Sequence, residues 1–286
     1  MKKFSILVFL SGFLLLFLIN NAGASVIWAN GVSQSSGWFD AEKELPDDGK
    51  NPVDDTLAQD DDDYMCWAAT AANILSWSGW NATYTDSHND IEDDIFEFFL
   101  NEDPIDDGGW MEYAWNFWFD GAETGGHFTD STHTGYYTTA EYIAAYAEYM
   151  NDPDVMSRSE SLLLDEYGVG FGVFRPLMGH AITLWGIEKD DQGNYLGVWV
   201  SDSDDDKTGG TDRRLLPDEL AYYDVLWSDE DGEWYLQDFY GYNDVYINDI
   251  QALKLAAVPE PATMLLLGSG LIGLAGLGRK KMFKRG

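Results

Sequence analysis

From about Gly168 to residue 255 apolar and polar side chains alternate with a period of two, and turn clusters interrupt the alternation at short intervals. That pattern restricts the second half of the chain to antiparallel sheet. Segments 169–175, 180–189, 195–201, 221–227, 233–238 and 244–255 read as strands, with Asp190-Asp191-Gln192-Gly193-Asn194 and Asp229-Glu230-Asp231-Gly232 among the turns between them. Ahead of Gly168 the period is helical, over 66–77, 90–100, 109–120, 139–151 and 157–167. Ile91, Ile95, Phe98 and Phe99 form one apolar stripe, and Thr138 or Thr139 can cap a run containing Tyr142, Ile143, Tyr146 and Tyr149; such stripes are core. The expected fold class is α+β, a helical N-terminal half packed on an antiparallel β meander. No internal repeat or long interior linker divides it.

Both ends carry signals of another kind. Lys2 and Lys3 precede an apolar run, 4–19, and then Ala22-Gly23-Ala24, the order of a secretory signal peptide over residues 1–24. Val258-Pro259-Glu260-Pro261-Ala262 introduces an apolar segment, 262–278, closed by a basic tail over 279–286 that holds Arg279, Lys280, Lys281, Lys284 and Arg285. That segment can hold the chain in a membrane with its basic end cytoplasmic. The arrangement over 258–286 resembles the PEP-CTERM sorting signal of Gram-negative exporters. It implies processing by an exosortase-type membrane enzyme and residence in the cell envelope or extracellular matrix. A plain transmembrane anchor is the other reading.

Residues 25–257 then form one domain, of a length that supports a sizeable core. Seven of the 16 Lys and Arg lie in the two terminal signals, but only Glu260 of the 51 acidic residues does. So acidic a body excludes nucleic acid and anionic membrane surfaces as partners, leaving membrane contact to the C-terminal segment. The acidic runs 60–63 and 202–206 are candidates for structural calcium, although neither has the glycine and terminal glutamate of an EF-hand loop. An aromatic content of 15% with 12 Trp supplies the apolar area of a packed core despite the charge.

The single cysteine, Cys66, stands where an acidic loop becomes the alanine-rich run Trp67-Ala68-Ala69-Thr70-Ala71-Ala72. A thiol at a helix start meets unpaired N–H groups and the positive end of the dipole, which favour the thiolate. Packing as a small buried hydrophobe is the competing reading. His180, in Gly179-His180-Ala181-Ile182-Thr183-Leu184-Trp185-Gly186, opens a strand and is the best candidate base. A hairpin turning at 191–194 sets Ser203 or Asp204 opposite it, so that Asp202 or Asp204 can orient the imidazole. His88, His127 and His133 fall in polar or turn-rich segments and read as surface residues without metal-ligand spacing.

These residues resemble the immunoglobulin-G-degrading cysteine endopeptidases of the IdeS type. The family's first strand is similar to Val26-Ile27-Trp28-Ala29-Asn30-Gly31-Val32, and its Gly-Trp-Tyr-Asp-x-x-Lys stretch to Gly37-Trp38-Phe39-Asp40-Ala41-Glu42-Lys43. Its nucleophile helix resembles Cys66 through Trp77, and its His-x-x-x-Leu-Trp-Gly and Val-Thr-Asp-Ser-Asp segments resemble 180–186 and Val200-Ser201-Asp202-Ser203-Asp204. The resemblance implies a papain-like cysteine peptidase fold and a secreted or envelope-displayed endopeptidase acting on protein without a required cofactor. It also implies Cys66 as nucleophile, His180 as general base, Asp202 as its orienter with Asp204 assisting, and Lys43 as oxyanion support. Gln59 is the rival for the last role.

Several features depart from the family. Segment 44–63 is longer and more acidic, 121–157 is shortened, and Trp67 replaces a glycine, so recognition of antibody does not carry over. Trp67, Trp77, Trp80 and Trp185 are candidates for the cleft wall or for core. A transamidase using the same triad, and a non-catalytic calcium-binding surface or matrix protein, are the alternative functions.

Overall fold

The computed structural model describes residues 24–41, 43, 64–81, 91–103, 108–128, 133–176, 178–204 and 220–257. The expected signal peptide, Gln59, the acidic run 60–63, His88 and the C-terminal sorting segment lie outside the described residues. The strands are β1 (Ser25–Trp28), β2 (Tyr146–Met150), β3 (Tyr167–Arg175), β4 (Met178–Lys189), β5 (Tyr195–Ser201), β6 (Ala221–Ser228), β7 (Glu233–Leu236) and β8 (Val245–Lys254). The helices are α1 (Cys66–Ser78), α2 (Ile91–Glu102), α3 (Met111–Asp120), α4 (Thr139–Ala145) and α5 (Val155–Leu164). Residues up to Leu255 make one compact unit. The segment from Ala256 onward is a second, of which only residues 256 and 257 are described.

Strands β3 to β8 pair each with the next, all antiparallel, and β8 returns to pair with β3. The sheet therefore closes on itself. This corrects the expected papain-like α+β arrangement: the molecule is mainly a closed antiparallel β-barrel of six strands, extended by β1 on β4 and β2 on β8, with a few helices around it. Closure follows from strand length and irregularity. The long strands β4 and β8 each take more than two partners, and bulges between Gly172 and Val173, Leu184 and Gly186, and Glu188 and Lys189 add the local bend and twist that bring the last strand to the first. A ring also leaves fewer free edges than an open meander.

The helical reading of 139–151 is corrected as well. Thr138 caps α4 in a capping box with Glu141, but the helix ends at Ala145 and Tyr146–Met150 pairs with β8 over Tyr146↔Leu253 to Met150↔Asp249. The free edge of β8 supplies a ladder of hydrogen bonds that local propensity does not anticipate.

Two apolar clusters meet at β3. Val169, Phe171 and Val173 join the cluster that holds Ile182, Leu184, Val198, Val200, Leu236 and Ile250. The opposite face of β3 presents Gly168, Gly170 and Gly172. A Cβ on Gly168 would lie 2.9 Å from the Trp77 ring, and one on Gly170 would run into Met111 and Thr70. This bare strip lets α1 and α3 seat against the sheet. Helix α1 is buried from Trp67 to Ser78, as expected of a helix enclosed on all sides, and its alanines keep its neighbours close.

Candidate active site

The sequence places Cys66 at the first position of α1, and no side chain at Met65 caps the helix. The helix is held in register by Asn73, seven residues on. Asn73 Oδ1 accepts from Ala41 N at 2.7 Å, and Nδ2 donates to Thr183 Oγ1 on β4 at 3.1 Å and to Ser201 Oγ on β5 at 3.4 Å. Ser201 Oγ donates in turn to Phe39 O at 2.9 Å and accepts from Trp185 Nε1 at 2.9 Å. One buried polar network thus locks together the helix of Cys66, the strand of His180, the strand leading to Asp202 and the segment leading to Lys43.

The β4–β5 ladder ends at Thr183↔Ser201. Continued three residues further, that register sets Asp204 across from His180, as the hairpin reading expects. His180 Nε2 lies 2.7 Å from Asp202 Oδ1, and His180 Nδ1 lies 3.6 Å from Asp204 Oδ2. With Nε2 engaged by Asp202, Nδ1 is the ring nitrogen left to act on Cys66, whose charge couples to that of His180. Asp202 is buried; its second oxygen accepts from Tyr240 OH at 2.8 Å, and Oδ1 also accepts from Asp204 N at 3.1 Å. Lys43, buried to 2% exposure, places Nζ 2.8 Å from Asp204 Oδ1, and its backbone N donates to Ser203 O at 3.2 Å.

The electrostatics follow from these contacts. Burial pushes the Cys66 thiol up, but the His180 charge and hydrogen bond, the Lys43 charge and the N–H of Ala181 together bring it below the ordinary thiol range. Burial opposes the charged form of His180, yet Asp202 and Cys66 hold it well above an ordinary histidine. Asp202, also penalised by burial, is held low by His180, Tyr240 and Asp204 N. Both shifts favour the thiolate–imidazolium pair over the neutral one.

Cys66, partly exposed, opens on a cleft of about 530 Å³. Its lining includes Trp67, Trp110, Phe174, His180, Asp204 and Tyr240. The five predicted residues, Cys66, His180, Asp202, Asp204 and Lys43, are thus brought together, although Lys43 does not line the cleft and acts on Cys66 by charge alone. Of the four tryptophans proposed for the wall, Trp67 lines the cleft; Trp77 and Trp185 pack edge to face with each other, and Trp80 packs against Phe119 and Tyr137.

His127 and His133 are not surface residues. His127 is 5% exposed, with Nδ1 3.1 Å from Asp103 Oδ2 and its ring against Trp67, and His133 stacks on Phe117. Aromatic packing draws both rings inward from turn-rich sequence. Tyr240 was not legible as a site residue, because it sits in a turn without period, at φ 50.

His180, Asp202 and Asp204 offer donor atoms within 4.8 Å of one another, a spacing a metal ion could use. The donors are otherwise engaged: Asp202 holds His180 and Tyr240, and Asp204 holds Lys43. The grouping fits a proton-transfer site better than a metal centre.

Residues 119–215 match the family model described as Mac 1, an IdeS-like family, and residues 257–280 match the PEP-CTERM protein-sorting motif. The first match includes His180, Asp202 and Asp204 but stops short of Lys43 and Cys66; it points to a peptidase-like chain and supports the resemblance in part. The second indicates export to the cell envelope of a Gram-negative bacterium and recognition by an exosortase-type sorting enzyme. A search of curated proteins found no match. Among the described residues no helix is long and apolar enough to cross a membrane.

Proposed function

We propose that the chain is an exported cysteine endopeptidase that hydrolyses peptide bonds of protein substrates through Cys66, His180 and Asp202. The observation that carries this reading is the 2.7 Å contact of His180 with a buried Asp202 at a cleft that Cys66 and His180 line together. In the reaction, the Cys66 thiolate attacks the carbonyl carbon, and the N–H of Cys66 with the positive charge of Lys43 stabilises the oxyanion. Collapse breaks the C–N bond as His180 Nδ1 gives its proton to the leaving amine. Water then attacks the thioester while His180 accepts its proton, releasing the acid and restoring the thiolate. Asp202 keeps the ring oriented and supports its charge throughout. No cofactor enters these steps.

In this reading residues 25–257 are the catalytic domain, residues 1–24 direct export, and 258–286 hold the chain for sorting to the envelope or matrix. The test is to incubate the purified protein and Cys66→Ala with extracellular proteins of the producing cell and compare new peptide termini. New termini made only by the unsubstituted chain support the proposal; identical termini in both samples refute it. Mass spectrometry of the products, free acid against amine-coupled, separates hydrolysis from transamidation.

A further inference from the structure

Beyond Cys66 and His180 the cleft reaches Gly172 and Phe174 on β3. Across β3, Gly172 pairs with Asp249 and Gly170 with Gln251; across β2, Glu148 pairs with Gln251. Above the glycine face of β3 stands the first turn of α3, where Glu112 N donates to Gln251 Oε1 at 3.0 Å and Tyr146 OH donates to Glu112 Oε2 at 3.1 Å. Gln251 Nε2 donates to Glu148 Oε1 at 3.0 Å. Three carboxylates from three elements are therefore gathered around Gln251 and the cleft-lining Gly172, behind the wall of the cleft.

Their environment holds no described cation. The five described Lys and Arg are engaged elsewhere: Lys43 with Asp204, Arg158 with Asp152, Arg175 with Asp244, Lys189 with Glu160, and Lys254 over the Tyr167 ring. Arg175, the nearest to Gly172 in sequence, stacks on Tyr242 and alternates to the other face of β3. Asp249 is fully buried. Its Oδ1 accepts from Asn248 Nδ2 at 2.7 Å, but Oδ2 has no hydrogen-bond partner among the described residues. That oxygen lies 2.9 Å from the position a Cβ on Gly172 would take, with the Phe174 ring at 3.1 Å from the same point. A buried carboxylate oxygen left without a donor is costly, and here it is directed at a cleft-lining glycine. The strain registers in the ionisation of the group. Burial, with the negative charge of Glu148 added, lifts Asp249 to about 6 against the N–H of Asn151. Burial and Glu148 likewise raise Glu112.

We propose that Glu112, Glu148 and Asp249 form an anionic subsite at the Gly172 end of the cleft that takes a lysine or arginine side chain of the peptide substrate. The inference rests on the peptidase reading and adds a substrate class to it. Glu148, exposed, meets the incoming cation first. Asp249 Oδ2 gains the donor it lacks once the Phe174 ring turns aside, and the missing side chain of Gly172 leaves the path open.

The test uses the full chain and matched peptides that differ only in arginine against citrulline, a neutral isostere. The expected kcat/KM ratio is about tenfold in favour of arginine, shrinking in 0.5 M NaCl and approaching one in Glu148→Gln and in Asp249→Asn. A ratio near one in the unsubstituted chain, or a ratio unchanged in both variants when thermal melts show them folded, overturns the proposal. Should neither variant fold, the ratio and its salt response in the unsubstituted chain decide. Alkylation of Cys66 by epoxide probes carrying arginine or citrulline reads recognition without turnover. Selective alkylation without hydrolysis would sink the peptidase reading and keep the subsite, whereas hydrolysis without selectivity would do the reverse.

Discussion

Tyr240 donates its hydroxyl to Asp202 Oδ2 at 2.8 Å while the other oxygen of the same carboxylate holds His180 Nε2 at 2.7 Å. The Tyr240 ring also stands edge-on to His180, with centroids 6.2 Å apart, on a left-handed backbone that a non-glycine residue seldom adopts. A strained turn is thus kept where it secures the carboxylate that holds His180.

Removing that hydroxyl tests its part. Tyr240→Phe leaves a buried carboxylate oxygen short of a donor, at a cost of about 1–3 kcal/mol in urea unfolding. Asp202 is held below the usual carboxylate range, so its stabilisation is present above the unfolded value of about 3.9 and is lost as pH falls through the lower folded value. Without Tyr240 the folded value rises, and the acid loss of stability and of activity starts at higher pH. The expected kinetic signature is a drop in kcat with KM nearly unchanged.

The coupled Cys66–His180 pair predicts a broad pH plateau. Cys66 lies below its ordinary range and His180 well above its own, so kcat/KM rises as the thiol ionises on the acid side and falls only as His180 loses its proton on the alkaline side. Iodoacetamide should label Cys66 rapidly at pH 6–7, and in His180→Ala the rate should rise only near the ordinary thiol value of about 8.5. Slow labelling that ignores His180 would count against the catalytic reading.

Lys43 and Asp204 form an ion pair with one member buried and the other 26% exposed at its side chain. Lys43→Met strands the carboxylate beside His180, and partial exposure should hold the loss below the ~3–5 kcal/mol typical of breaking a fully buried pair. Thermal melts of the two single variants and the double Lys43→Met/Asp204→Leu measure the coupling. The double variant should be more stable than the sum of the single losses implies, but its Cys66 labelling at neutral pH should be slower, because the Lys43 charge is gone.

Asn73 touches no reacting atom, yet it joins α1 to β4, β5 and residue 41. Asn73→Ala should lower stability by about 2–4 kcal/mol, combining lost hydrogen bonds with stranded buried partners. Labelling of Cys66 should become less dependent on His180 as the helix loses its register. Unchanged melting and labelling would show that packing alone seats the helix.

The residues of the candidate site were legible because the proposed chemistry resides in residue identity. A lone cysteine at a helix start, a histidine opening a strand and aspartates just past the next strand point to a relay, and the hairpin register brings His180 opposite 204 as the turn position implies. The fold was legible only element by element. Period-two alternation marked each of β3 to β8, but nothing local distinguished an open meander from a ring, and Tyr146–Met150 looked helical because its tyrosines continue the stripe of α4.

By itself the amino-acid order determined which stretches have one apolar face and which side chains carry reactive atoms, since both are properties of near neighbours along the chain. Only the tertiary structure decided that β8 returns to β3, that His127 and His133 turn inward, and that Tyr240 reaches Asp202. Those outcomes depend on strand edges, bulges and packed rings that meet across long sequence separations, where the free energy belongs to the contact and not to either segment alone.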